Sequence, residues 1–241
     1  MLASPSEIIV KGEDLILPNS DPAVDIVKGY RRFLVGLDIA QAQDKNAFSI
    51  MLDERLPVYE TPVRQGLSKR RREIVRAEHL PAMSYVDLAQ VVRNLMLSPA
   101  IAGRAYLAVD ATGVGRAFCD LLNQRSVQHT RVQMTAGENE NEVKERGTSF
   151  NNVGKVRLLS ALSSAFHTGG LQIGNFPERD LLRQELESFE ADVTKGGRTV
   201  IEGGTKFSHA DMAISSALAF WLSDHRSVGA VIGEATLRGY W

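Results

Sequence analysis

Two apolar runs that each end in an aspartate constrain the fold of this chain more than any other feature. Phe33–Leu37 precedes Asp38, and Ala105–Val109 precedes Asp110. Short runs of this kind are typical of strands buried on both faces, and such strands occur mainly in sheets that helices cover. We therefore expect a layered α/β protein in which each aspartate lies at the end of a central strand.

The rest of the pattern predicts a mixed sheet. A short connection between the first strand and a second strand at 47–52 predicts an antiparallel hairpin, and three strands followed by alternating helices and strands favour helices on both faces of the sheet. Further strands are predicted at 56–61, 105–109, 130–134, 171–173 and 198–202, and helices at 84–97, 116–125, 156–166, 182–189 and 208–224.

Two segments lack periodicity and are predicted to be irregular. Residues 1–30 mix Pro, Gly, Asn and Asp with short apolar runs, which is typical of a lead-in or linker. Residues 136–152 are rich in Glu, Asn and Gly and predict a mobile loop. We expect one folded domain over 31–225, followed by a tail at 226–241.

Composition excludes several classes of protein. The 241 residues hold 28 Lys and Arg against 29 Asp and Glu, so an anionic partner must meet a local basic patch. Cys119, the single cysteine, excludes an internal disulfide and is expected to be a small buried side chain. The sequence has neither a phosphate-binding loop nor a secretory signal, and its apolar runs are shorter than the ~20 residues that cross a bilayer. We expect a cytoplasmic protein without membrane contact.

The strand-end aspartates are predicted to share one crevice. Parallel strands present their carboxyl ends at one edge, where open α/β sheets bind ligands. Two carboxylates there repel each other unless a cation lies between them, and oxygen donors favour Mg²⁺ or Mn²⁺ over Zn²⁺. Asp211 opens the last predicted helix and can reach this edge, and three acids around two metal ions can hydrolyse a phosphodiester. Taken alone, each aspartate also has an ordinary explanation as a loop hydrogen bond, a helix cap or a partner of the helix dipole.

Three segments carry a resemblance to a known family. They are VGLDIAQAQDKNAFSI at 35–50, LAVDATGVGRAFCDLL at 107–122 and SHADMAISSALAFW at 208–221. In this order they resemble the nuclease domain of the large terminase subunit of tailed bacteriophages, which is ribonuclease H-like. The segment 152–173 resembles that domain's lysine-led helix and the short strand after it. The resemblance covers roughly residues 33–225.

The resemblance implies a metal-dependent endonuclease that cuts concatemeric double-stranded DNA during head packaging in the bacterial host cytoplasm. It implies that Asp38, Asp110 and Asp211 bind two Mg²⁺ or Mn²⁺ ions, with Asp44 as a weaker candidate and His209 in a supporting role. The portal, the small terminase subunit or a separate packaging ATPase are the implied protein partners. DNA-backbone contacts, which read no sequence, are expected from the basic residues Lys69, Arg70, Arg71, Arg72, Lys144, Arg146 and Lys155. The concentration of basic residues between 64 and 76 is explained equally well by a surface that simply faces solvent.

The chain departs from this family, which keeps alternatives open. Acids often found at the position of Ala210 and near Ile214 are missing, which predicts weaker binding of the second ion. Without an ATPase motif, we expect an excised domain or a stand-alone, prophage-derived relative. A Holliday-junction-resolvase-like nuclease and a catalytically vestigial DNA-binding packaging module remain as alternatives. An actin-like or sugar-kinase ATPase is disfavoured, because Ile-Ala-Gln follows Asp38 in place of a glycine-threonine phosphate turn.

Overall fold

The structure is a computed structural model that describes residues 8–40, 45–145, 147–193, 199–202 and 210–227. Its strands are β1 (Ile9–Lys11), β2 (Asp14–Ile16), β3 (Lys28–Asp38), β4 (Ala47–Arg55), β5 (Pro57–Thr61), β6 (Arg64–Leu67), β7 (Arg71–His79), β8 (Ala105–Asp110), β9 (Thr130–Thr135), β10 (Glu140–Glu145), β11 (Thr148–Gly154), β12 (Gln172–Ile173), β13 (Glu190–Val193) and β14 (Thr199–Glu202). Its helices are α1 (Tyr85–Met96), α2 (Gly115–Gln124), α3 (Lys155–His167), α4 (Arg179–Glu187) and α5 (Asp211–His225).

A large mixed sheet forms the middle layer, with its main strands in the order β10-β11-β9-β8-β3-β4-β7-β12. Strand β4 runs antiparallel to both of its neighbours, β3 and β7, whereas β8 and β9 continue from β3 in parallel. Helices α1 and α2 pack on one face, and α3, α4 and α5 pack on the other. The predicted ribonuclease H-like sheet with helices on both faces is therefore confirmed.

Helix α5 lies directly on β3 and β4. Gly36 permits this contact, because a Cβ atom there would lie only 1.9 Å from the carbonyl oxygen of Ser215. The hydroxyl of Ser49 on β4 lies 2.7 Å from the hydroxyl of Ser215 and 2.8 Å from that of Ser216. Residues Met212 to Ser223 are all buried, so α5 is a core helix, as predicted. Among the described residues, no helix is long and apolar enough to cross a membrane.

Local signals at the helix starts are also confirmed. The Ser84 hydroxyl accepts the Asp87 amide at 3.1 Å and caps α1. A Cβ at Gly115 would lie 1.9 Å from the Asp110 carbonyl oxygen, so only glycine allows α2 to begin so close to the end of β8. Cys119 is buried on α2, and burial raises the pKa of its thiol to about 11.

Two segments that were predicted to be irregular contain strands. Within residues 1–30, β1 and β2 form a hairpin, and β2 extends the sheet by pairing with β3. Within 136–152, β10 and β11 form a hairpin in which Val143 lies opposite Phe150. Most residues of β10 are exposed, so backbone pairing rather than apolar burial holds this strand, and periodicity could not reveal it. Residues 1–7 and 228–241 lie outside the described residues, and the domain limits stay predictions.

Candidate active site

The parallel pairing of β3 and β8 brings two predicted site residues side by side. Leu37 lies opposite Val109, so Asp38 and Asp110 follow at the carboxyl ends of neighbouring strands. Alternate residues of a strand face the same side of a sheet, and Gly36, two residues before Asp38, faces α5. Both aspartates therefore project to the side of the sheet that α5 covers.

Asp211 opens α5 above this same edge of the sheet. Its side chain is 15% exposed, and its Oδ2 atom lies 3.9 Å from Nδ1 of His79 on β7. Ala47 of β4 pairs with Asp38 on one side and with His79 on the other. One row across the sheet thus leads from Asp110 through Asp38 to His79, with Asp211 beside it. We call the set of Asp38, Asp110 and Asp211 the acidic edge.

The carboxylates of the acidic edge interact electrostatically. Burial raises the pKa of Asp38 well above its ordinary value, and the negative charges of Asp110 and Asp211 raise it further, whereas the positive charge of Lys155 opposes the shift. Burial also raises the pKa of Asp110, against hydrogen bonds from Thr112, whose amide donates to Oδ1 at 2.8 Å. A bound cation would remove the conflict between these charges.

The donors of the acidic edge fit a divalent cation in their chemistry. Carboxylate oxygens are the donors that Mg²⁺ and Mn²⁺ prefer, and the Nδ1 atom of His79 is buried without a hydrogen-bond partner among the described residues. The side chains do not yet close around an ion, because no three described Asp, Glu, His or Cys side chains already form a metal-binding group. The acidic edge is therefore a set of oxygen donors that is not closed around one point.

Two residues beside the acidic edge, Glu185 and His79, were not predicted from the sequence. Glu185 of α4 places Oε1 2.8 Å from Nε2 of His79, and its Oε2 accepts the Ala213 amide at 3.0 Å. Ala213 belongs to the first turn of α5, whose amides lack partners within the helix, and Ala210 before that turn has no capping side chain. Glu185 therefore caps α5 from a neighbouring helix and holds His79 at the same time.

The sequence contained a signal for Glu185. It follows Leu182 by three residues and precedes Phe189 by four, which is the spacing of one buried helix face. A carboxylate on such a face requires a partner, and the interaction with His79 supplies it. The sequence contained no such signal for His79. Charged residues interrupt the alternation of apolar and polar side chains along β7, so this strand was not predicted.

Several solved structures that are similar to this one are large terminase nucleases. The structure matches the large terminase nuclease from thermophilic phage G20c, over 89% of this chain and 90% of that one, with a TM-score of 0.53 and 20% sequence identity. It matches the magnesium-bound structure of that nuclease over 89% of each chain, with a TM-score of 0.53 and 20% identity. It also matches the Thermus phage P74-26 large terminase nuclease domain, over 87% of this chain and 85% of that one, with a TM-score of 0.52 and 19% sequence identity. The chain has the large terminase nuclease fold. No protein-family profile matches the sequence, and no curated protein matches it.

In this terminase nuclease fold, the predicted DNA-binding residues at 69–72 lie far from the acidic edge. Arg71 and Arg72 begin β7, whereas His79 ends it beside Asp211, and this length of strand spans roughly 25 Å. The arginines of the cluster form ion pairs within the chain: Arg70 with Asp53 (2.8 Å) and Asp224 (2.8 Å), Arg71 with Glu54 (3.0 Å), and Arg72 with Asp224 (3.1 Å). These contacts favour a structural role for the arginines, although Arg71, like Lys69, is exposed.

The other predicted residues divide between the site and its surroundings. Lys155 begins α3, and its charge lowers the pKa of both Asp38 and Asp110, so it lies beside the acidic edge. Lys144 is exposed on β10. Three further predicted residues lie outside the described residues, namely Asp44, Arg146 and His209.

Proposed function

We propose that this protein is a metal-dependent endonuclease that hydrolyses phosphodiester bonds of double-stranded DNA with little sequence specificity, as in phage genome packaging. The observation that carries the proposal is the acidic edge, where burial and the charges of Asp110 and Asp211 raise the pKa of Asp38. The G20c nuclease of the same fold has been crystallised with bound magnesium and with bound cobalt, which supports a divalent cation here.

Asp38, Asp110 and Asp211 would hold the cations, two of which we expect, and Asp44 and His209 are supporting candidates. When bound, such cations activate water and stabilise the charge that develops on the phosphodiester. The protein itself contributes orientation and charge. The Thr112 amide fixes one oxygen of Asp110, and Lys155 offsets the negative charge of the edge where a DNA phosphate would approach.

DNA would be held through its backbone, by charged side chains that read no base. Lys155 stands beside the acidic edge, while Lys144 and Lys69 are exposed elsewhere on the surface. Phosphate contacts fix position without reading sequence, which accounts for the expected lack of specificity. The packaging partners implied by the resemblance, namely portal, small terminase subunit or a separate ATPase, and a site in the host cytoplasm belong to the same proposal.

Cleavage of supercoiled plasmid by the purified protein tests this function. We expect nicked and linear products with Mn²⁺ or Mg²⁺ and none with EDTA. Loss of an outer partner of a metal site typically costs about 10–100-fold, so loss of a ligand in Asp110→Asn should lower the rate at least about 100-fold. Asp120→Asn, which changes an exposed aspartate on α2, should cleave normally.

Other outcomes of the same assay would support other functions. Binding of DNA without cleavage would replace the nuclease by the vestigial DNA-binding module. A strong preference for four-way junctions over linear duplex of equal length would favour the resolvase-like nuclease. Full activity of Asp110→Asn would remove this residue from the metal site.

A further inference from the structure

One buried polar atom at the acidic edge is not used by the proposed function. The Nδ1 atom of His79 is buried and has no hydrogen-bond partner among the described residues. It lies 3.9 Å from Oδ2 of Asp211, which is too long for a hydrogen bond. Buried polar atoms in folded proteins are almost always satisfied by protein, water or an ion. The position of Nδ1 beside a carboxylate therefore calls for an occupant between the two groups.

A buried carboxylate fixes the opposite nitrogen of the same ring. Nε2 of His79 lies 2.8 Å from Oε1 of Glu185, and Oε2 of Glu185 is held by the Ala213 amide at 3.0 Å. Where a carboxylate oxygen of Glu185 accepts a hydrogen bond from Nε2, the neutral tautomer of the ring leaves a lone pair on Nδ1. Metal-binding histidines show this pattern, in which one nitrogen donates to a carboxylate and the other faces the ion.

The spacing between Nδ1 and Asp211 suits two ligands of one cation. Ligands about 2.1 Å from an octahedral ion lie roughly 3.0 Å apart when adjacent and roughly 4.2 Å apart when opposite. The observed separation of 3.9 Å lies between these two values, about 0.3 Å short of the opposite arrangement. His79 also lies in the same row of the sheet as Asp38, through their common neighbour Ala47, so its ring shares the side of the sheet that α5 covers.

We propose that His79 is a nitrogen ligand of a divalent cation that Asp211 also binds, and that Glu185 positions its ring. This inference rests on the proposed function, because it adds a ligand to the same metal site. It also has a consequence for metal selectivity. Imidazole favours transition metals such as Co²⁺ over Mg²⁺, so His79 should raise the affinity for Co²⁺ more than that for Mg²⁺.

Pulsed electron paramagnetic resonance of the Mn²⁺-loaded full chain tests the assignment. We expect a coupling between Mn²⁺ and a ligating histidine nitrogen in the wild type, verified by ¹⁵N-histidine labelling, and no such coupling in His79→Gln. His129→Gln is the matched control, because His129 also has a buried nitrogen without a partner among the described residues but lies at the amino end of β9. Both His129→Gln and His209→Gln should retain the coupling.

Metal affinity gives a second readout that does not depend on cleavage. By calorimetry, His79→Gln should bind Mn²⁺ at least about tenfold more weakly, and its affinity for Co²⁺ should fall more than that for Mg²⁺. Glu185→Gln keeps the size of the side chain but changes the hydrogen bond to the ring, so it should weaken Mn²⁺ binding less. Thermal unfolding without metal identifies variants with altered folding. If His79→Gln does not fold, the coupling in the wild type, its retention in His129→Gln and His209→Gln, and the Mn²⁺ affinity of Glu185→Gln test the assignment.

The outcomes separate this inference from the proposed function. A coupling that persists in His79→Gln, or one that disappears in His209→Gln instead, would overturn the role of His79. A wild type that cleaves DNA with Mn²⁺ but shows no histidine coupling would also overturn it and would leave the nuclease intact. A wild type that binds no Mn²⁺ would overturn both.

Discussion

The negative charge of Asp38 has opposite effects on folding and on the binding of a cation. Burial and the negative charges of Asp110 and Asp211 raise its pKa, so ionisation of this side chain lowers the free energy of unfolding. The same crowding of carboxylates would attract a divalent cation. In the proposed metal centre, Asp38 would therefore stabilise the bound state of the site rather than the empty one.

We predict that Asp38→Asn stabilises the metal-free protein at neutral pH. Because the pKa of Asp38 is raised in the folded state, its stabilising contribution is present below its ordinary pKa and is lost as pH rises through the raised value. The variant should therefore melt above the wild type at about pH 7–8, and the difference should shrink toward about pH 4. Thermal unfolding in EDTA measures this, and a difference that does not change with pH would contradict the prediction.

The aspartates of the acidic edge could be predicted one by one, whereas their surroundings could not. Asp38 and Asp110 each end an apolar run, and Asp211 opens an apolar helix, so local patterns mark all three. His79 and Glu185 meet across 106 positions of sequence. Nothing in the local pattern of one residue carries information about the other, so only the folded chain reveals their contact.

At the level of elements, the contact between β3 and α5 determines where Asp211 lies. The backbone of α5 approaches Gly36 so closely that a side chain cannot fit between them. The hydroxyls of Ser49 and Ser216 add a buried polar contact between α5 and the neighbouring strand β4. The start of α5 is therefore held over the sheet by close packing along the helix.

Gly36→Ala should destabilise the protein. Its Cβ would lie 1.9 Å from the Ser215 carbonyl oxygen, a backbone atom that moves only if α5 moves. Overpacking of this kind costs about 1–3 kcal/mol, and we expect the upper end of that range. Gly170→Ala is the control, because its nearest neighbour would be the flexible end of Arg72 at 3.4 Å. Urea unfolding measures both variants, and equal stabilities would contradict the packing described for α5.

The arginines at the start of β7 form ion pairs that hold parts of the fold together. Asp53 is fully buried and pairs with Arg32 at 2.8 Å and with Arg70 at 2.8 Å. Arg32 is itself only 1% exposed. From the sequence, the same arginines suggested phosphate contact, because their acidic partners lie on other elements. The strands β7 and β10 were not predicted for a related reason. Charged residues interrupt the alternation of apolar and polar side chains along both strands.

Asp53→Ala should cost about 3–5 kcal/mol in the free energy of unfolding, because it leaves the buried guanidinium of Arg32 without its carboxylate. Asp14→Ala provides the comparison, since Asp14 pairs with Lys28 at 3.5 Å on the surface, where the two side chains are 47% and 59% exposed. Such surface pairs contribute about 0–1 kcal/mol. Similar small losses in the two variants by urea unfolding would show that the Arg32–Asp53 pair is not needed for stability.

For the whole molecule, the formal net charge of −1 conceals an uneven distribution of charged residues. Carboxylates gather at one edge of the sheet, and the arginines at the other end of β7 are paired with acids. The central sheet and its helices could be predicted because apolar periodicity is a local property. The distribution of charge over the surface arises only when distant elements meet.

Lys155→Gln should weaken DNA binding and reduce the dependence of affinity on salt by about one unit of slope. Fluorescence anisotropy with labelled duplex in EDTA measures this without cleavage. Arg71→Gln is the comparison, because Arg71 already pairs with Glu54 at 3.0 Å, and it should leave the slope unchanged. The reverse result, with an altered slope only in Arg71→Gln, would assign DNA contact to the arginine cluster.

If the proposed function is right, the acidic edge is a metal centre. A crystal structure of the protein soaked in Mn²⁺, with anomalous difference density, decides this point. We predict an anomalous peak within coordination distance of carboxylate oxygens of Asp38, Asp110 and Asp211. Well-ordered aspartates with no ion between them at saturating Mn²⁺, or an ion bound only elsewhere, would contradict the claim.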